Sequence, residues 1–122
     1  MSDYIPDRWV VVKISGNDED GKETIYKVLG SWYGGYLSGH SWRLNSGISS
    51  VVDNGPTLTF HGYNGSTYLC SKQAYGAHGL SRHIVQQLIE EGASKGRLVT
   101  MLSEEEALSL SWCHSDKKIK VA

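Results

Sequence analysis

The side chains with the richest chemistry in this chain are Cys70 and Cys113 and the histidines at 40, 61, 78, 83 and 114. A thiol beside an imidazole can act as nucleophile and base. Asn64-Gly65, read as the centre of a two-residue hairpin loop, puts Phe60 opposite Leu69, His61 opposite Tyr68 and Thr59 opposite Cys70. His61 and Cys70 then lie diagonally on one sheet face, within reach of each other. A small Cys/His enzyme is one reading. Against it, no helix N-terminus or cationic cluster is evident to lower the thiol pKa, and an inert buried cysteine is the commoner outcome. Cys70, His78 and His83 match no zinc spacing, nor does Cys113-His114. His78 and His83, five apart, would not share a helical face. Glu104-Glu105-Glu106 suits the first turn of a helix better than an acid/base pair. There is no phosphate loop, dinucleotide fingerprint or nucleophile elbow. No catalytic residue, metal or cofactor is assigned, and a non-enzymatic protein is the favoured reading.

A binding surface is the stronger candidate. Between Gly30 and Gly47 stand Trp32, Tyr33, Tyr36 and Trp42, with Gly34, Gly35 and Gly39 among them. Four large aromatics cannot all be exposed cheaply, and the glycines allow sharp turns or close approach. His40, Arg43 and Asn45 add polar handles. Rigid amphipathic anchors mixed with small adaptable residues are what binding surfaces use. The expected binding residues are Trp32, Tyr33, Tyr36, His40, Trp42, Arg43 and Asn45. The bland alternative makes Trp32 and Trp42 core and the glycines a long turn. Single-stranded nucleic acid is a third reading, since aromatics beside Arg can stack on bases. The stretch carries one cation, Arg43.

The chain has 122 residues, a formal net charge of −1, 39% apolar and 20% charged residues. That suits a single domain, residues 1–122, able to bury a core without staples. The charge argues against a protein whose main task is gripping nucleic-acid phosphate. No apolar run is long enough to span a bilayer, and the N-terminal residues lack a signal pattern. A cytoplasmic location with both cysteines reduced is expected.

The elements that must position these residues are mostly strands. Arg8 to Ile14 and Glu23 to Leu29 are β-branched and aromatic, and read as a hairpin. Asn54-Gly55 and Asn64-Gly65, taken as type I′ turns, predict a meander over about 42–52, 57–62 and 67–72. Val51, Leu58, Phe60 and Leu69 would share one face, and His61, Tyr68 and Cys70 the other. Leu80, Ile84, Val85, Leu88 and Ile89 recur at helical spacing, predicting a helix over 81–91 that stops at Gly92. A strand over 97–102 and a helix over 104–112, begun by a Ser103/Glu106 capping box, follow. The tail from Cys113 ends as a short strand or stays loose. The fold class is α+β: a mostly antiparallel sheet of five or six strands, one main helix on one face and a short C-terminal helix.

The run Tyr26-Lys27-Val28-Leu29-Gly30-Ser31-Trp32-Tyr33-Gly34-Gly35-Tyr36-Leu37, with Ser41-Trp42-Arg43-Leu44-Asn45-Ser46-Gly47, resembles uncharacterised small proteins of tailed phages, including marine cyanobacterial phages. The likeness extends through Gly65-Ser66-Thr67-Tyr68 to about Tyr75. It implies expression in the cytoplasm of an infected bacterium and carries no activity, cofactor or catalytic residue. The reading is a phage accessory protein that contacts a protein partner or polar ligand through residues 30–47. A homodimer is the simplest arrangement if no other partner exists.

Overall fold

The computed structural model describes residues 3–15, 24–35, 39–77, 80–109 and 119–121. The strands are β1 (Asp3–Tyr4), β2 (Arg8–Ser15), β3 (Thr24–Gly35), β4 (Gly39–Leu44), β5 (Ile48–Asp53), β6 (Thr57–Gly62), β7 (Thr67–Ser71), β8 (Leu98–Met101) and β9 (Ile119–Val121). The helices are α1 (Leu80–Ser94) and α2 (Glu104–Ser109). The chain is α+β, but its strands form two sheets where one was expected: a five-stranded sheet β1-β7-β6-β5-β9 and a four-stranded sheet β4-β3-β2-β8.

The split lies at Asn45-Ser46-Gly47, inside the stretch expected to be a single strand. Asn45 is 3% exposed and ties the end of β4 to β3. Its Oδ1 accepts from the amides of Val28 (2.9 Å) and Gly47 (3.2 Å), while its own amide donates to the Val28 carbonyl. Gly47 has φ +135°, and a Cβ there would lie 2.8 Å from Cδ2 of Tyr63. The chain can therefore leave one sheet and enter the other only with glycine at this point.

β2 is buried on both faces because it is shared between layers. Trp9 packs against Phe60 at 5.3 Å and edge-on to Tyr75 at 4.8 Å, facing the five-stranded sheet. Alternation turns Val10, Val12 and Ile14 toward α1. Trp9 Nε1 donates to the Ser71 carbonyl, and the Tyr75 hydroxyl accepts from the Val11 amide and donates to the Leu102 carbonyl. The Trp9–Ser71 bond joins the sheets, and all three satisfy polar groups that burial would otherwise leave unpaired.

The meander has a different register from the expected one. Phe60 pairs with Tyr68, His61 with Thr67 and Leu58 with Cys70. Tyr63, Asn64 and Gly65 form a three-residue loop: the Gly65 amide donates to the Gly62 carbonyl, and Gly65 takes φ +91°. This is a turn followed by a left-handed glycine, not a two-residue type I′ loop. A one-residue slip flips every side chain of β7. Leu58, Phe60, Tyr68 and Cys70 accordingly line the core, while His61 and Leu69 face outward. At the other hairpin, Gly55 (φ +96°) and Pro56 occupy the two loop positions, closed by the bond from Asn54 N to Thr57 O. Glycine first and proline second suits a type II′ turn. Val51 therefore pairs with Phe60 instead of Leu58, although its face is the expected apolar one.

α1 runs past Gly92 to Ser94 and is capped by Gly96, which has φ +74°. The amides of Arg97 and Gly96 donate to the carbonyls of Gly92 and Ala93, the paired bonds of a Schellman cap. Gly92 has a packing role: a Cβ would stand 2.5 Å from Cγ2 of Val99. The capping box holds, with reciprocal Ser103–Glu106 bonds of 3.2 Å starting α2. Residues 110–112 of the expected helix lie outside the described residues. Of the tail, β9 pairs in parallel with β5.

Candidate functional site

The aromatic-glycine stretch folds as the distal half of the β3–β4 hairpin. Trp32 pairs with Ser41, Ser31 with Trp42 and Gly30 with Arg43; the register then shifts before Gly35 pairs with Gly39. β4 is one edge strand of its sheet, and β8 is the other. Trp32 and Arg43 lie on the face toward the five-stranded sheet, and Trp42 on the face toward α1.

A residue absent from the expected list organises the first face. Tyr4, in the two-residue β1, is held beside Tyr68 by parallel pairing with β7. Its ring stands 5.0 Å from that of Tyr68 and 6.3 Å, edge-on, from that of Trp32. The Arg43 guanidinium carbon lies 4.6 Å from the Tyr4 ring centroid, a cation–π stack. Trp32 is half-buried and donates its indole N–H to the Ile5 carbonyl at 2.9 Å. Gly30 leaves room for Pro6, whose Cβ would be 3.0 Å from an added Cβ. The segment from Tyr4 to Asp7 is thereby laid across β3, with the Asp7 amide bonded to the Ser31 carbonyl.

Trp42 is 44% exposed and Arg43 is exposed, so both are available to a partner. No carboxylate among the described residues pairs with Arg43. Asn45, expected among the surface residues, is interior and holds backbone. Neither Trp32 nor Trp42 belongs to the hydrophobic core, whose tryptophan among the described residues is Trp9. Tyr36 lies outside the described residues, as do the side chains of Tyr33 and His40. No local signal pointed to Tyr4, because its place depends on a contact with β7 more than sixty residues away.

The Cys70–His61 pair does not form. Cys70 is fully buried on the core face, and His61 is on the opposite face, with Nδ1 3.5 Å from Thr67 Oγ1. Burial pushes the Cys70 thiol well above its ordinary range, which disfavours the thiolate. His83 is exposed on α1, while His78, Cys113 and His114 lie outside the described residues. Among the described residues no group of three or more His, Cys, Asp or Glu converges to hold a metal. Among the described residues no helix is long and apolar enough to cross a membrane. Burial also raises the hydroxyls of Tyr68 and Tyr75 to about 12, with Arg43 partly offsetting the effect at Tyr68.

Comparison with protein-family models, with curated proteins and with solved structures finds no match to this chain.

Proposed function

We propose that this protein is a non-enzymatic binding module that contacts a partner protein through the β4 edge. The observation that carries this reading is that Trp42 and Arg43, adjacent in sequence and both exposed, stand on an edge strand of the four-stranded sheet, whose other edge strand, β8, has neither an aromatic residue nor a cation. The five-stranded sheet has its meander flanked on both sides by the short strands β1 and β9. β4 has no such cover among the described residues, and an uncovered edge is a template for a further strand. An added strand would run along Gly39–Leu44 and place alternate side chains against Trp42 on one face and the Arg43–Tyr4 stack on the other. Arg43, with its guanidinium carbon 4.6 Å from the Tyr4 ring centroid, would take a carboxylate through its donor fork. Aromatics and Arg commonly dominate interface energy. The resemblance to phage proteins agrees with an accessory role, and a second copy of the chain is the simplest partner.

Sedimentation over a concentration series tests the homotypic form. The expected result is reversible association of the wild type that Trp42→Ala with Arg43→Ala weakens, at an unchanged circular dichroism spectrum. Hydrogen exchange of the β4 amides should slow as the wild type associates. A wild type that stays monomeric, with β4 exchange independent of concentration, removes self-pairing.

A further inference from the structure

On the other side of the four-stranded sheet, α1 and the sheet line an open-sided cavity of about 210 Å³. Its floor is aliphatic: Ile14, Leu44, Leu88 and Val99. The same lining includes the cations Lys27, Lys95 and Arg97, whose long stems can carry their charge to the open mouth, against a single carboxylate, Glu91. Glu91 lies 3.9 Å from Lys95 across one helical turn, with both side chains exposed. Lys27 and Arg97 have no ion-pair partner among the described residues.

Lys27 is the unexpected member. It pairs with Val12 in the middle of β3 and shares the helix-facing side of the sheet with Ile14 and Val99. It is half-buried there, in a place where the surrounding pattern would put an aliphatic residue. Its stem can pack along the apolar floor while its ammonium reaches the mouth. Arg97 is placed at that mouth by the cap that ends α1, through its amide bond of 2.7 Å to the Gly92 carbonyl. An apolar floor under two uncommitted cations of different geometry has the chemistry of a site for an amphipathic anion. The volume is below the roughly 300–1,000 Å³ of sites for drug-sized ligands, so the body of the ligand must be short.

We propose that this cavity binds a small carboxylate with a short aliphatic body, its carboxylate between Lys27 and Arg97 and its chain on Ile14, Leu88 and Val99. The site does not depend on the β4 contact and would stand if that contact failed.

Hexanoate and its neutral analogue hexanamide are the probes, followed by amide chemical shifts of the isotopically labelled full chain. The expected result is saturable shifts with hexanoate, centred on Lys27, Leu88 and Val99, and at least about tenfold weaker binding of hexanamide, the loss of about 1.4 kcal/mol. Lys27→Met, which keeps the stem, and Arg97→Gln should each weaken hexanoate by a similar factor. Arg82→Gln, exposed on α1 and outside the cavity, should leave it unchanged. If Lys27→Met fails to fold, Arg97→Gln and the amide comparison still decide. Equal binding of the two probes, shifts elsewhere on the surface, or no saturation would each overturn the assignment.

Discussion

Replacing Gly92 with Ala should destabilise the protein, against the usual effect of that change in a helix. In an open helix interior the substitution gains roughly 1 kcal/mol through propensity. Here the new methyl would lie 2.5 Å from Cγ2 of Val99 and 3.2 Å from the Arg97 carbonyl. Val99 is 5% exposed on β8 and, being β-branched, cannot swing aside freely. The Arg97 carbonyl belongs to the backbone that follows the cap. Overpacking of this kind costs about 1–3 kcal/mol, which outweighs the propensity gain and leaves a net loss of about 1 kcal/mol. Urea denaturation monitored by tryptophan fluorescence would read this as a lower midpoint at constant slope. The double variant isolates the cause. Val99→Ala alone loses about 1.6 kcal/mol, from two methyl groups at about 0.8 each. In that background Gly92→Ala no longer meets Cγ2 and should become neutral or stabilising, a coupling of about 1–3 kcal/mol. A raised midpoint for Gly92→Ala in the wild-type background would show that α1 does not sit against β8 at this distance.

Gly55→Val and Gly65→Val should each lose about 1–3 kcal/mol from backbone strain, because both glycines have positive φ and neither has an atom within 4 Å of an added Cβ. Gly65→Asn should lose less, and unchanged denaturation midpoints for both Val variants would refute the turns described. Tyr75 should make the fold sensitive to alkali: its hydroxyl rises from 10.0 to about 12 on burial, so the folded state keeps a proton that the unfolded state gives up. Its contribution is intact below pH 10 and is lost as pH rises toward 12, at up to about 1.4 kcal/mol per pH unit. Tyr75→Phe should be less stable at pH 7, with the Val11 amide and Leu102 carbonyl unpaired, yet show a shallower decline above pH 10. Cys70 should react with an alkylating reagent only as fast as the protein opens, so rapid modification at pH 6 would contradict its burial.

The α+β class was legible, because strands and helices announce themselves through residue type and period. Arg8 to Ile14, the helical spacing of Leu80 to Ile89 and the Ser103/Glu106 box all marked real elements. Two errors share one cause. Each Asn-Gly pair reads as a loop centre, but Pro56 moves one turn forward by a residue, and Tyr63 joins the other loop. Loop length cannot be read from the dipeptide alone, and in β7 the odd-numbered slip exchanged core for surface. The division into two sheets was signalled by Asn45-Ser46-Gly47, a turn-like tripeptide inside an otherwise strand-like run. Its meaning rests on Asn45 reaching the Val28 backbone, which only the folded chain shows. At the candidate site Trp42 and Arg43 followed from the stretch itself. Tyr4 did not, since nothing near it in sequence predicts a parallel contact with β7.

The position of β2 has a consequence for how the chain is made. Arg8–Ser15 is synthesised before β8, Tyr75 and Leu102, all of which follow it by more than fifty residues. β2 can form its hairpin with β3 early, but its other edge and its Trp9 face must wait for later segments. Contacts of such sequence separation favour slow folding. Throughout that interval a Trp-Val-Val-Val strand is open to solvent on a growing chain, the kind of segment that chaperones shield. Yield in a cell should therefore depend more on how this strand is protected during synthesis than on the stability of the finished molecule.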